Sequence, residues 1–292
     1  MQQRFDFGAA AGGIPAGDAA EPLVAIEAGG RSIRIGCCGF SYAEWVGSFY
    51  PAGLKQRDML AFYAKRFDSL EIDAAYYGVP KPVTFERLLT LTPDDFRITM
   101  KLPGTLTHVP PEDALHADGV LIADRARDLA RAGKLACWLA QFPASFRPGV
   151  AARDRLCRLR ERLHGVPLVA EFRHREWQTA ETLAFLAEHG IGWTNVDEPN
   201  VEALLRPSSD VSGGIGYVRF HGRNAEQWWT PPTPGDRYRY EYSEDELEPW
   251  ADRVLDMAGS ARETYAFFNN HRDAQATVDA RKLARLVKLR LG

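Results

Sequence analysis

Ser69-Leu70-Glu71-Ile72-Asp73 alternates apolar and acidic residues. Successive side chains on a β-strand point to opposite faces, so Leu70 and Ile72 share one face of this stretch and Glu71 and Asp73 the other. The same device recurs where other short apolar runs end. Thr99 and Lys101, Glu171 and Arg173, Asn195 and Asp197, and Arg219 and His221 each close a run, as does Asn269 followed by Asn270 and His271. Gln141 closes another alone, while Phe172, Val218 and Phe220 continue apolar faces. One face therefore turns polar at one end of strand after strand. Removing an unpaired ion from water costs several kcal/mol, so these groups are expected to pair with one another or to serve a ligand.

Outward from that stretch, strand-like runs recur at residues 33–38, 69–73, 96–102, 135–142, 167–172, 191–196, 216–221 and 264–269. Helical patterns lie between most of them, over 58–67, 83–91, 124–132, 153–163, 179–189 and 244–258, and a last one spans 274–291. Strands alternating with helices imply parallel pairing through crossovers. Eight such units predict a single α/β domain, a (β/α)8 TIM-type barrel with eight parallel strands. A doubly wound open sheet is the alternative. It fits less well, because no GxGxxG opens a helix and the polar strand ends are spread over the whole chain. His164-Gly165 and His189-Gly190 sit at helix ends, where cation and glycine suit the cap, whereas His108, His174, His221 and His271 follow strands.

Composition narrows the function classes. With 292 residues, 45% of them hydrophobic, the chain can bury a full core. A net charge of -3 with both signs well mixed excludes a global basic field for nucleic acid, so any anion binding must be local. Cys37, Cys38, Cys137 and Cys157 form no CxxC pair, which suggests a reducing, cytoplasmic setting. Residues 1–30 are rich in Ala and Gly, without the basic start and apolar stretch of a signal peptide, and are expected to be a flexible tail before a barrel domain of residues 31–292. No apolar run approaches transmembrane length, so no membrane partner is expected.

Ordered motifs give a second line of inference. They run Gly36-Cys37-Cys38-Gly39-Phe40-Ser41-Tyr42 with Trp45 and Phe49-Tyr50-Pro51; Phe67 to Asp73 with Tyr76-Tyr77; Thr92-Pro93; and Phe96 to Lys101 with Thr107-His108. After Gln141-Phe142-Pro143 come Glu171-Phe172-Arg173-His174 with Trp177, Asp197-Glu198-Pro199, Arg219-Phe220-His221-Gly222-Arg223 and Phe268-Asn269-Asn270-His271. In these motifs the chain resembles the YecE-like family, a domain of unknown function with a barrel fold. The resemblance covers nearly all of the chain after the tail and implies the barrel, but no activity. This chain departs from it in carrying Cys37-Cys38 and Phe40 where a small polar residue and Trp are usual, and Asp273-Ala274 where Gly is common.

The clustered residues suggest chemistry. Arg173, Arg219, Arg223 and Lys101, with His108, His174 and His271, can clamp a phosphate or carboxylate, and Gln141, Asp197, Asn269 and Asn270 add polar contacts. The same arginines can instead pair with Glu71, Glu171 or Asp197 as internal struts. Glu71 or Glu171 suits a general base, with His221 or His108 as acid. No cofactor is expected. A divalent metal is disfavoured, because there is no HxxE or HxH spacing and cations stand among the strand ends. Tyr42, Tyr77 and Trp177, with Trp228 and Trp229, suit stacking on a base or sugar. The leading expectation is a hydrolase-like enzyme acting on a small anionic ligand, phosphate-bearing or nucleotide-like, at the C-terminal mouth of the barrel; hydrolysis is argued by analogy with barrels that cleave phosphate esters. The alternative is a non-catalytic nucleic-acid binding or adaptor protein that uses the basic and aromatic rim.

Overall fold

The computed structural model describes residues 21–108, 112–233 and 235–292. Its strands are β1 (Ile26–Ala28), β2 (Arg31–Cys38), β3 (Ser69–Ile72), β4 (Arg97–Lys101), β5 (Leu135–Gln141), β6 (Leu168–Glu171), β7 (Ile191–Trp193), β8 (Asn195–Asp197), β9 (Ile215–Phe220) and β10 (Glu263–Phe268). From β2 to β7 the strands pair with their sequence neighbours, and β10 lies between β2 and β9. Closure comes from one run of chain. β7 pairs in parallel with β6 and β8 in parallel with β9, separated by Thr194 alone, whose amide donates to the Ala170 carbonyl at 3.0 Å. With β7 and β8 as halves of one strand, the ring is the expected barrel of eight parallel strands.

Helices Pro82–Thr90, Val150–Arg162, Ala180–Glu188, Glu244–Ser260 and Gln275–Leu291 cover the strands within a few residues of their expected positions. Glu244–Ser260 shows why the pattern was readable. Ser243 and Glu246 form a capping box, three acidic residues fill its first turn, and Leu247, Trp250, Ala251, Val254, Met257 and Ala258 bury one face. The helix expected over 124–132 is Arg127–Arg131, preceded by a separate helix that was not expected, Glu112–Arg125. Its Val120, Leu121 and Ile122 are consecutive apolar residues of which only Ile122 is buried, so no helical period announces it.

The expected tail is corrected at its C-terminal end. Residues 1–20 lie outside the described residues, but Ile26–Ala28 pairs antiparallel with β2, and buried Leu23 bonds to Arg66 and Asp68 through its backbone. Three residues are too short a strand for alternation to reveal. Apolar residues fill two layers, one between strands and helices and one inside the lumen, where Cys137, Leu139, Val169, Ile215, Tyr217, Tyr265 and Phe267 pack together. Among the described residues no helix is long and apolar enough to cross a membrane. The lumen's apolar plug leaves its C-terminal end to the polar strand tips.

Candidate functional site

The floor of the mouth is an ion network with every charge engaged. Arg219 lies between Glu71 and Glu171: its Nη2 donates to Glu71 Oε1 at 2.6 Å, its Nε to Glu71 Oε2 at 3.0 Å and its Nη1 to Glu171 Oε2 at 2.7 Å. The Tyr217 hydroxyl donates to Glu71 Oε2 at 2.6 Å, and Thr99 contacts that hydroxyl at 2.9 Å. Glu171 Oε1 takes Arg173 Nη2 at 2.8 Å and His221 Nε2 at 3.1 Å. Asn269 presents its amide nitrogen to His221 Nδ1 at 3.1 Å. That donor assigns the imidazole proton to Nε2, pointing it at Glu171. Register explains the convergence, since Glu71 pairs with Cys38 and Thr99, and Glu171 with Gln141, each on the inward face.

Burial sets the protonation states. It works to raise the Glu171 carboxyl, but Arg173, Arg219 and His221 override it and hold the group well below the usual carboxylate range. Burial, reinforced by Arg173, pushes His221 down to about 3, so it is neutral at pH 7. Arg219 keeps only 2% of its side chain exposed, and Glu71, Glu171 and His221 keep none.

Above the floor the groups are differently placed. Lys101, the last residue of β4, sets its Nζ 4.4 Å from the centroid of the Tyr76 ring, and among the described residues it has no hydrogen-bond acceptor or carboxylate partner. Burial, then Arg219, lowers it to about 8. Asp73, just beyond β3, is raised by burial and by Glu71. His108 bonds Thr107 through Nδ1 at 2.9 Å and meets the Tyr76 ring edge-on, while burial and Lys101 hold it down at about 4. Arg173 reaches Glu198 at 3.4 Å and lies over Trp228, with 13% of its side chain exposed. Those contacts leave part of its five N–H groups free to donate.

Several sequence-expected residues face elsewhere. Asp197 is corrected: it points outward, accepting from Arg223 at 2.7 Å, the Tyr242 hydroxyl at 2.7 Å and Trp250 Nε1 at 2.6 Å. Asn195 follows it, reaching the Met257 sulfur at 3.0 Å. Inward on this strand stands Gly192, where a Cβ would come within 2.6 Å of Val169. Asn270 also leaves the lumen, donating to Asp279 and the Tyr240 carbonyl. Trp177 is packing, stacked on Phe172 and tied to the Phe146 carbonyl. His174 accepts from the Glu176 amide as a turn cap, and Gln141 donates to the Phe142 carbonyl. Tyr42 bonds the Cys38 carbonyl and stacks on His271, which pairs with Glu44. Tyr77 is 89% exposed at the edge of the mouth.

Tyr217 and Glu198 were absent from the candidates. Tyr217 carries the inward parity of Arg219, and Glu198 follows Asp197 with the opposite parity, which is the signal that could have found both. Among the described residues, no three His, Cys, Asp or Glu side chains are disposed to hold a metal ion. Asp273 and Ala274 adopt left-handed φ values of 53° and 61°, which accounts for the glycine common there in the resembled family.

The inward network is built from the ordered sequence motifs, and a profile described as "Protein of unknown function DUF72" matches residues 34–291. The chain belongs to the DUF72 family. UPF0759 protein YunF of Bacillus subtilis (strain 168) is 26% identical over 268 residues, covering 83% of this DUF72 chain and 91% of YunF. UPF0759 protein YecE of Escherichia coli (strain K12) is 32% identical over 117 residues, 40% of this chain and 39% of YecE. The crystal structure of a DUF72 family protein from Thermotoga maritima is 34% identical with a TM-score of 0.80, covering 88% of this chain and 99% of that one. A DUF72 structure from Enterococcus faecalis, 24% identical with a TM-score of 0.77, covers 88% of this chain and 95% of its own and shows the shared fold.

Proposed function

We propose that this DUF72 chain is an enzyme that takes a small anionic substrate, bearing a phosphate or carboxylate, at the C-terminal mouth of its barrel. The reading rests on Lys101, an amine at a strand tip whose Nζ lies over the Tyr76 ring and which, among the described residues, is hydrogen-bonded or ion-paired to no carboxylate, together with Arg173, which has N–H groups beyond those given to Glu171 and Glu198. A bound anion would supply the missing counter-charge. Arg219 has no such role, because its guanidinium already joins Glu71 and Glu171.

The acid–base role expected of Glu71, Glu171 and His221 moves up the lumen in this reading. Protonating Glu171 would release Arg219, Arg173 and His221 together, whereas Asp73, Lys101 and His108 are less constrained. The hydrolytic expectation therefore loses its two leading bases, and the anionic-substrate expectation keeps its support. The nucleic-acid alternative loses Arg219 and Arg223 to internal carboxylates.

Calorimetric titration with inorganic phosphate tests the reading. Wild type should bind, Lys101→Met should bind at least about tenfold more weakly, and Arg131→Met, an exposed cation at the end of helix Arg127–Arg131, should match wild type. Equal affinity of wild type and Lys101→Met, or no binding by either, overturns it.

A further inference from the structure

We infer that Lys101 is an amine nucleophile, condensing with the carbonyl carbon of a small 2-oxo acid or phosphate-bearing aldehyde whose anionic group lies against Arg173. This names the substrate class of the mouth and rests on the anion-site reading above.

The contrast among the chain's less exposed lysines carries the argument. Lys134 donates to the Leu89 carbonyl at 2.8 Å, the Thr92 carbonyl at 2.7 Å and the Thr92 hydroxyl at 3.3 Å, so three acceptors engage its amine. Lys282 reaches Asp279 at 3.0 Å and Glu241 at 3.4 Å. Lys101 has a ring face instead. A structural cation would be built like the other two. The groups acting on Lys101 are Arg219 from β9, Arg173 and Glu171 from the end of β6, and Asp73 from the end of β3; the two arginines favour the free amine. His108 and Tyr76 close the near side of the mouth. Glu171 and Asp73 pull the other way, but neither is bonded to the amine, and burial with Arg219 outweighs them. A desolvated lysine that, among the described residues, touches a ring rather than an acceptor is the arrangement that makes an amine nucleophilic near neutral pH.

The chemistry balances without an oxidant or reductant. The Nζ lone pair forms a bond to the carbonyl carbon, and the C=O π pair moves to oxygen, which takes up a proton to give a carbinolamine. That oxygen then leaves as water with a second proton, and the nitrogen gives up both protons of the free amine, one as the carbinolamine forms and one as water departs, leaving a neutral imine. Asp73, one residue beyond β3, is raised by burial and Glu71 against the pull of Lys101 and is the acid assigned to the proton that departs with water. His108, with Nδ1 already on Thr107, has Nε2 for proton transfer.

Glyoxylate with sodium borohydride is the test, applied to the full-length wild-type chain and read by peptide mapping. Reduction converts an imine into an irreversible carboxymethyl-lysine. At pH 7, Lys101 should be labelled faster than Lys288 although Lys288 is the more exposed. Labelling should rise to half its maximum near pH 8, and inorganic phosphate should slow it. Lys101→Arg should lose the adduct while still binding phosphate. Labelling that follows exposure across all the lysines, or leaves Lys101 bare while phosphate still binds, overturns the inference and leaves the anion site standing. No adduct and no phosphate binding would end both. The wild-type map decides alone, so a variant that misfolds does not blunt the test.

Discussion

The floor and the rim of this lumen carry similar residues in opposite circumstances. At the floor, Arg219 touches two carboxylates, each carboxylate touches at least one further donor, and His221 is pinned by Asn269. At the rim, Lys101 touches a tyrosine ring. Complete pairing fixes geometry and removes reactivity, because any proton moved within the floor breaks several charged hydrogen bonds at once. Incomplete pairing leaves a group able to meet a ligand. Charged residues at strand ends thus divide into a fully paired frame and a less fully paired rim, which the proposed function takes as its working surface.

The contrast can be broken most forcefully at the floor. Arg219→Met leaves Glu71 and Glu171 buried without their shared cation, and urea unfolding should show a loss of about 3–5 kcal/mol; a loss below about 1 kcal/mol would erase the distinction between the levels. Acid should reveal the same network. His221 is held at about 3 against an ordinary 6.5, so between those values the unfolded chain binds a proton that the fold refuses, and stability falls as pH drops from about 6.5 toward 3. Glu171, held below its ordinary 4.5, adds a second loss from about 4.5 downward, where the unfolded chain again takes up the proton first. Urea midpoints measured against pH should show both limbs, and His221→Gln should shrink the upper one to the share left by His108, which is held at about 4.

Smaller effects sharpen the comparison. Tyr242→Phe removes one donor from outward-facing Asp197 and should cost about 1–3 kcal/mol in urea, with phosphate binding at the mouth unchanged. Lys101→Met should cost least, under about 1 kcal/mol, since only a ring contact is lost. If that variant proves as unstable as Arg219→Met, the rim is frame as well.

Much of the architecture was legible. The alternation at Ser69–Ile72 and the periodic apolar face of Glu244–Ser260 reflect burial that each element performs locally. Helix Glu112–Arg125 and strand Ile26–Ala28 were not, the first because Val120 and Leu121 break the period and the second because it is too short to show one. Site residues were legible as a set and misplaced in part. Glu71, Lys101, Glu171, Arg173, Arg219, His221 and Asn269 do converge, whereas Asp197 and Asn270 look identical in sequence and face the helices.

Sequence by itself determined that this protein is a parallel barrel with polar strand tips, because alternation and helical period are properties of neighbouring residues. Tertiary structure alone decided which face each tip took, through the strand shared between β6 and β9 at Thr194, and that Lys101 meets a tyrosine ring where the floor cations meet carboxylates. Pairing depends on distances between residues far apart in the chain, and those distances exist only once the ring has closed.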